Sequence, residues 1–146
     1  MMLVKFKKLD KNAVMPTYGT PYSAGADLYA CMENTVTIEP GQTVLMHTGI
    51  AMELPEGYVG LNFARSGLAT KRGLAPANKV GVIDSDYRGE IMVALHNHGC
   101  ENQTVEPGER ISQLLIMPVV QAEFEETDEL SDTVRGDGGF GSTGRK

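Results

Sequence analysis

The chain has 146 residues and a formal net charge of −6 at pH 7. This length is that of one ordinary domain, and the acidic charge argues against nucleic acid or a membrane surface as the main partner, since both favour basic proteins. There is no apolar run long enough for a membrane span or a signal peptide, and two cysteines are too few for a disulfide framework, so we expect a cytoplasmic protein.

Strand patterns dominate the chain. Alternating, β-branched and aromatic residues predict strands at 35–39 and 57–63, and longer apolar runs predict buried strands at 90–95 and 111–120. The tetrapeptides EPGQ, LPEG and EPGE place Pro and Gly between apolar runs, which is typical of turns. Many short strands at close spacing indicate an all-β protein, an antiparallel jelly-roll-like barrel or sandwich.

One short helix is predicted after Ser66, which we interpret as its N-cap. The C terminus is different in character, because residues 135–146 contain five glycines and a single aromatic residue, Phe140. A terminus with so few apolar groups is usually disordered, but glycine together with arginine also suits an arm that closes over an anionic ligand. We therefore predict a jelly-roll domain at 1–134 and a flexible glycine-rich arm at 135–146.

Four polar segments marked by glycine interrupt the strands. They are SAGADLYA (23–30), ARSGLA (64–69), NKVGVIDSDYRGE (78–90) and PGERISQ (107–113). Each segment alone is typical of a turn or a loop. Together with RGDGGFGSTG near the C terminus, and in this order, they resemble the five motifs of the homotrimeric deoxyuridine triphosphatase (dUTPase) family over nearly the whole chain.

This resemblance implies a jelly-roll trimer that hydrolyses dUTP to dUMP and pyrophosphate with Mg²⁺, at three sites shared between subunits. Such an activity limits the incorporation of uracil into DNA and supplies dUMP for dTMP synthesis. The expected partners are the dUTP substrate and further copies of the chain, with no nucleic acid and no membrane.

Asp84 is the candidate general base. Its position after Val82 and Ile83 predicts a carboxylate at the edge of an apolar strand. The residues alone also allow an Asx turn with Ser85 and Asp86. The resemblance implies the catalytic role, in which Asp84 deprotonates the water that attacks the α-phosphorus.

The nucleoside residues follow from the same segment. The resemblance implies that Tyr87 packs on the deoxyribose and excludes a 2′-hydroxyl, although a tyrosine in a strand is more often a cross-strand aromatic. It also implies that Asn78, Val80 and Gly81 offer donors and acceptors to the edge of uracil. A base with a different hydrogen-bonding pattern would leave those buried groups unpaired, which can cost a factor of about 10⁴ to 10⁵.

The phosphate-binding residues implied by the resemblance are Arg65, Ser66, Gly67 and Gln113, assisted by N–H groups at a helix N-terminus. Without the other motifs, the arginine would be interpreted as a surface residue, the serine as a simple N-cap and the glutamine as part of a strand. Arg135 resembles an arginine finger that meets the γ-phosphate and counts as catalytic.

The terminal arm would complete the site. By resemblance Phe140 stacks on the uracil and Gly141 approaches the substrate, and stacking of this kind contributes about 1 to 3 kcal/mol per base. The implied cofactor is Mg²⁺, held by phosphate oxygens and water with no direct protein ligand. Asp27 is expected near the water shell of the metal.

Other interpretations deserve comparison. The sequence HNHGC places His96, His98 and Cys100 on one face of an extended segment, but three ligands on one strand do not easily complete a tetrahedron.

A dCTP deaminase shares the fold and several motifs, but its catalytic glutamate would align with Ala94. A non-catalytic nucleotide-binding module is less favoured because Asp84 and the other motif residues are present, and a structural jelly roll would not need the polar segments.

Overall fold

The computed structural model describes residues 2–139, which contain twelve β-strands and one short α-helix. In chain order the elements are β1 (Lys5–Lys8), β2 (Thr17–Tyr18), β3 (Ala26–Tyr29), β4 (Val36–Ile38), β5 (Thr43–His47), β6 (Ile50–Glu53), β7 (Tyr58–Phe63), α1 (Ser66–Arg72), β8 (Leu74–Pro76), β9 (Val80–Ile83), β10 (Met92–Asn97), β11 (Gln103–Val105) and β12 (Arg110–Pro118). The predicted all-β class is confirmed. None of the described residues forms a helix long and apolar enough to cross a membrane.

The strands of residues 2–139 pair antiparallel. The largest sheet has the order β2-β3-β12-β7-β9, a second sheet has the order β5-β10-β8, and two further pairs join β1 to β6 and β4 to β11. Most of these neighbours are not consecutive in the chain, because the chain crosses between sheets as it does in a jelly roll. The crossing places β12, the last strand, between β3 and β7 in the middle of the largest sheet.

Buried apolar side chains form two clusters. One includes Leu74, Leu95 and Ile111, and the other includes Leu28 and Leu114. Burial alternates along β10, where every second residue faces the core, as expected for a strand with one face packed and one face outward. The buried strand predicted at 90–95 corresponds to β10, which begins at Met92 and packs only one face against the core.

Helix α1 begins one residue earlier than predicted. Arg65 is the N-cap, with extended backbone (φ −82°, ψ 126°) and no side-chain capping bond, and Ser66 is already helical. The prediction of Ser66 as N-cap is wrong because the extended conformation of β7 continues through Arg65. The helix ends at Arg72 and is capped by Gly73. The φ of Gly73 is 67°, which is left-handed, and a Cβ there would lie 2.8 Å from the backbone N of Gly99; both conditions require glycine.

Beyond β12 the described chain has no further strand or helix. Residues 119–137 are exposed, including the large apolar side chains of Phe124 and Leu130, which are 94% and 87% exposed. The predicted arm begins within this stretch, and its boundary at 135 stays a prediction. Phe140 and Gly141 lie outside the described residues.

Candidate active site

The predicted phosphate-binding residues line one cavity of about 710 Å³, which we call the arginine cavity. The register of the largest sheet explains why residues far apart in the chain meet there. Gln113 on β12 lies opposite both Asp27 on β3 and Phe63 on β7, and the chain turns into α1 directly after β7. The predicted residues on this cavity wall are Asp27, Arg65, Ser66, Gly67 and Gln113.

Asp27 holds two arginines of this cavity in place. Its Oδ1 accepts a hydrogen bond from Arg65 Nε at 2.7 Å, and its Oδ2 accepts one from Arg110 Nη1 at 3.2 Å. The Asp27 side chain is only 14% exposed, whereas that of Arg110 is 50% exposed. Because a guanidinium has five N–H donors, both arginines keep donors that can bind an anion in the cavity.

Gln113 is fixed by the backbone around it. Its Nε2 donates to Ala64 O at 2.8 Å, and a Cβ at Gly25 would lie 2.7 Å from its Oε1. The absence of a side chain at position 25 therefore allows the Gln113 amide to lie close to the backbone of Gly25. Ser66 and Gly67 are exposed at the start of α1, where the first N–H groups of a helix have no acceptor within the helix.

The predicted nucleoside residues line a different cavity of about 330 Å³, which we call the hairpin cavity. Its wall includes residues of β5 and β10, such as Leu45 and Ala94. Val80, a half-buried residue of β9, lines neither cavity. The predicted site residues on the wall of the hairpin cavity are Asn78, Gly81, Asp84 and Tyr87.

Asp84 is the first residue after β9 and is exposed. Its backbone O accepts a hydrogen bond from Tyr87 N at 3.2 Å, but within residues 2–139 its carboxylate makes no hydrogen bond or ion pair. The alternative of an Asx turn with Ser85 and Asp86 is therefore not observed there. The predicted position of Asp84 at the edge of an apolar strand agrees with the structure, because β9 ends at Ile83 and the turn that follows places Asp84 on the cavity wall.

Tyr87 lies in the turn after β9 and not in a strand, so it is not a cross-strand aromatic. Its hydroxyl donates to Glu90 O at 3.0 Å, and a Cβ at Gly89 would overlap that hydroxyl. The carboxylate of Glu90 accepts from Gly49 N and bonds His47 Nδ1, each at 2.8 Å. Tyr87 is therefore hydrogen-bonded to Glu90, and the Glu90 carboxylate is in turn hydrogen-bonded to His47 and Gly49.

The cavity walls also carry residues that were not among the predicted site residues, including three with side chains able to bind a ligand. Arg110 was within the quoted segment PGERISQ, and it meets Asp27 because of a strand pairing that the sequence does not reveal. Lys79 lines the arginine cavity although its neighbour Asn78 lines the hairpin cavity. Asn62 lines the hairpin cavity from β7, and its signal in the sequence is a polar residue at an inward position of an otherwise apolar strand.

Arg135 and the histidines lie outside both cavities. Arg135 Nε donates to Gly138 O at 2.8 Å, within an exposed turn. The rings of His96 and His98 meet edge to face with centroids 4.3 Å apart. Among residues 2–139 no group of three His, Cys, Asp or Glu side chains is arranged to hold a metal ion.

The shifted titrating groups also lie outside the cavity walls. Burial, with smaller contributions from Lys79 and His96, lowers the pKa of His98. Burial raises the pKa of the Cys31 thiol, and nearby carboxylates add to this effect. The hydrogen bond and charge of Lys5 lower the pKa of Glu53.

The fold and its cavities define a jelly-roll protein with one cavity suited to an anion and another that carries a carboxylate without a partner in the described part of the chain. The dUTPase family model matches residues 11–144. A deoxyuridine 5′-triphosphate nucleotidohydrolase of Desulfitobacterium hafniense is 54% identical over 142 residues, which cover 97% of this chain and 94% of that protein. One of Acinetobacter baumannii is 49% identical, with coverage of 99% and 100%.

Comparison with solved structures leads to the same family as comparison with these relatives. The dUTPase of Staphylococcus bacteriophage 80alpha with dUPNHPP matches this chain with a TM-score of 0.91 and 31% identity, covering 99% of both chains. The chain therefore belongs to the dUTPase family and is an enzyme of that family. The family resemblance and the jelly-roll fold predicted from the sequence are confirmed.

Proposed function

We propose that this protein hydrolyses dUTP to dUMP and pyrophosphate by attack of water on the α-phosphorus. The observation that carries the proposal is the exposed carboxylate of Asp84 on the wall of the hairpin cavity, which has no partner from residue 2 to residue 139. A carboxylate engaged in an ion pair would be a weaker base, whereas Asp84 is free to accept a proton from water. As the water oxygen bonds to the α-phosphorus, the bond to the bridging oxygen breaks and pyrophosphate leaves.

The arginine cavity binds the phosphates in this proposal. Arg65, Ser66, Gly67 and Gln113 contact the chain of phosphates, and the fixed guanidinium of Arg65 stabilises charge that develops in the transition state. Arg135 adds a further cation at the γ-phosphate. Its position in an exposed turn requires the terminal segment to move toward the substrate.

The hairpin cavity binds the nucleoside. Asn78, Val80 and Gly81 contact the edge of uracil, and Tyr87 packs on the deoxyribose where a 2′-hydroxyl would otherwise lie. The bond from the Tyr87 hydroxyl to Glu90 O supports this role, because it fixes the ring in the cavity wall. Phe140 and Gly141 of the terminal arm close over the base.

The residues present fit Mg²⁺ held mainly by the substrate. Asp27 is the carboxylate on the wall of the arginine cavity, and both of its oxygens already accept from guanidinium groups. It therefore suits contact with water molecules around the ion better than direct ligation, and Mg²⁺ commonly keeps several waters when it binds phosphates. When bound, the ion would neutralise phosphate charge and polarise the α-phosphate.

A homotrimer with shared sites completes the proposal. In a single chain Asp84 and Arg65 line different cavities, so a hairpin cavity from one copy would meet the arginine cavity of another. The exposed apolar side chains of Phe124 and Leu130 support contact with a neighbouring copy. The proposed location is the cytoplasm.

The direct test is pyrophosphate release from dUTP, dCTP, dTTP and UTP, each with and without Mg²⁺. We expect Mg²⁺-dependent release with a strong preference for dUTP. Ammonia from dCTP as the main product would instead favour the deaminase. The structure gives no support to that alternative, because Ala94, at the position of the deaminase glutamate, places no carboxylate on the cavity wall.

Mixed trimers test the shared site. A chain truncated after Val134 lacks the arm and a full-length Asp84→Asn chain lacks the base, so each should be nearly inactive alone. After refolding together, sites that combine Asp84 of one chain with the arm of another should recover activity in proportion to mixing. No recovery in mixtures shown to contain heterotrimers would contradict the shared site and leave the proposed chemistry intact.

A further inference from the structure

We infer that Asn62 is a further specificity-determining residue of the hairpin cavity, where its carboxamide hydrogen-bonds the nucleobase beside Asn78. The inference rests on the proposed function and extends it to a residue that lies outside the five motif segments. The nucleobase would be the hydrogen-bond partner of Asn62 Oδ1, a buried oxygen that has no partner among residues 2–139.

Asn62 is only 4% exposed, and its Oδ1 has no hydrogen-bond partner among residues 2–139. Roughly 90% or more of buried polar groups in native proteins are hydrogen-bonded, because an unmade bond in the interior is costly. An unpartnered amide on a cavity wall therefore points to a missing ligand. Ser112 Oγ is buried and unpartnered in the same way, but Ser112 lines neither cavity.

The strand register gives Asn62 access to the cavity. It pairs with Gly81 across β7 and β9, and both residues line the hairpin cavity. A Cβ at Gly81 would lie 3.3 Å from Asn62 Cβ and 3.4 Å from Asn78 Nδ2. The absence of a side chain at Gly81 thus leaves the two carboxamides on either side of one open position.

The chemistry of a carboxamide suits uracil. The side chain of Asn62 carries one acceptor oxygen and two N–H donors, and rotation by half a turn exchanges their positions. Asn62 Nδ2 lies 3.8 Å from the Cβ position of Gly81, so the carboxamide lies beside the open position and half a turn would bring the unpartnered Oδ1 toward it. The edge of uracil offers two carbonyl acceptors and one N–H donor, and either orientation of the amide can therefore form a bond with it.

The test replaces Asn62 with a side chain of similar size that cannot form hydrogen bonds. For Asn62→Leu we expect KM for dUTP and Kd for dUMP, measured by calorimetry, to rise about 5- to 10-fold, the effect of one net hydrogen bond. Inhibition by inorganic tripolyphosphate should not change, because that anion occupies only the arginine cavity. The matched control is Ser112→Ala, which removes the other unpartnered buried group and should alter neither constant.

A value of Kd for dUMP within about twofold of wild type would overturn the inference, and would mean that the missing partner is a water molecule remote from the base. An equal loss of tripolyphosphate inhibition would also overturn it. If the leucine variant does not fold, Asn62→Ala is judged by the same criteria. Hydrolysis of dUTP by the wild-type protein tests the proposed function separately, since dUMP affinity decides the role of Asn62 even in an inactive protein.

Discussion

The two cavities of this chain differ in how their charged groups are held. In the arginine cavity, Asp27 is largely buried and binds two guanidinium groups. In the hairpin cavity, Asp84 is exposed and its carboxylate has no partner among residues 2–139. In the proposed function the paired carboxylate orients two arginines for phosphate binding, whereas the other carboxylate accepts a proton from water.

The difference between the two carboxylates follows from their positions relative to the strands of the largest sheet. Asp27 lies within β3 and its neighbours in the ladder fix its surroundings, whereas Asp84 lies just beyond the end of β9. Partly buried ion pairs of this kind orient side chains more reliably than they stabilise the fold, because desolvation offsets much of their attraction. Substitutions in the two cavities should therefore have different kinetic effects.

The largest effect is expected for Asp84→Asn. This change removes the proposed base and keeps the shape of the side chain, so kcat for dUTP should fall by at least about 10². The affinity for dUMP should be nearly unchanged, since the phosphate and nucleoside contacts remain. Steady-state kinetics and calorimetry measure the two quantities, and a variant with near wild-type kcat would refute the assignment of Asp84.

Asp27→Asn should act on binding more than on chemistry. The amide can replace only one of the two oxygens that accept from Arg65 and Arg110, so one guanidinium loses its anchor and KM for dUTP should rise about 10-fold. The matched control is Glu53→Gln, which breaks the exposed ion pair with Lys5 outside both cavities and should leave KM unchanged. A fall in kcat with KM constant would show that Asp27 is not a binding element.

Tyr87→Ala should change selectivity more than rate. Loss of the ring opens space beside the sugar, so the preference for dUTP over UTP should fall at least about 10-fold. Tyr87→Phe is the control, because it keeps the ring and removes only the bond to Glu90 O. If the ratio of kcat/KM for dUTP and UTP is the same in the alanine variant, the ribose is recognised elsewhere.

Much of the fold was predictable because apolar patterns are strong in the central strands. The strands predicted at 57–63 and 111–120 correspond closely to β7 and β12. By contrast, β1 contains three lysines among its four residues, and it forms a strand because it pairs with β6. The pairing partner, and not local propensity, determines such short strands.

The sequence allowed a set of site residues to be proposed but not their arrangement. The family resemblance implied roles for Asp27 and Gln113, which are opposite each other only because β3 and β12 are neighbours in the sheet. Their separation from Asp84 into another cavity, and the proximity of Asn62 to Gly81, also depend on register. A register cannot be read from one sequence when the paired strands are far apart in the chain.

The smallest effect concerns Lys79, which stands between the two cavities. It lines the arginine cavity, and its φ of 65° is the one positive φ at a non-glycine residue in the part of the chain that the structure describes. Asparagine tolerates this left-handed conformation better than lysine does, so Lys79→Asn should raise the free energy of unfolding by about 0.5 to 1 kcal/mol. Urea unfolding at one fixed protein concentration measures this change.

The same substitution removes a cation from the wall of the arginine cavity. If Lys79 attracts the phosphates, KM for dUTP should rise about 2- to 5-fold in Lys79→Asn, and the effect should shrink as salt screens the charge. Lys11→Asn is the matched control, since it removes an exposed lysine that lines neither cavity and has no positive φ. If the Lys79→Asn variant is more stable and its KM at low salt is unchanged, the left-handed conformation at position 79 serves only the geometry of the hairpin. A higher KM would show that the charge of Lys79 assists phosphate binding and that the strain at this position is retained for that reason.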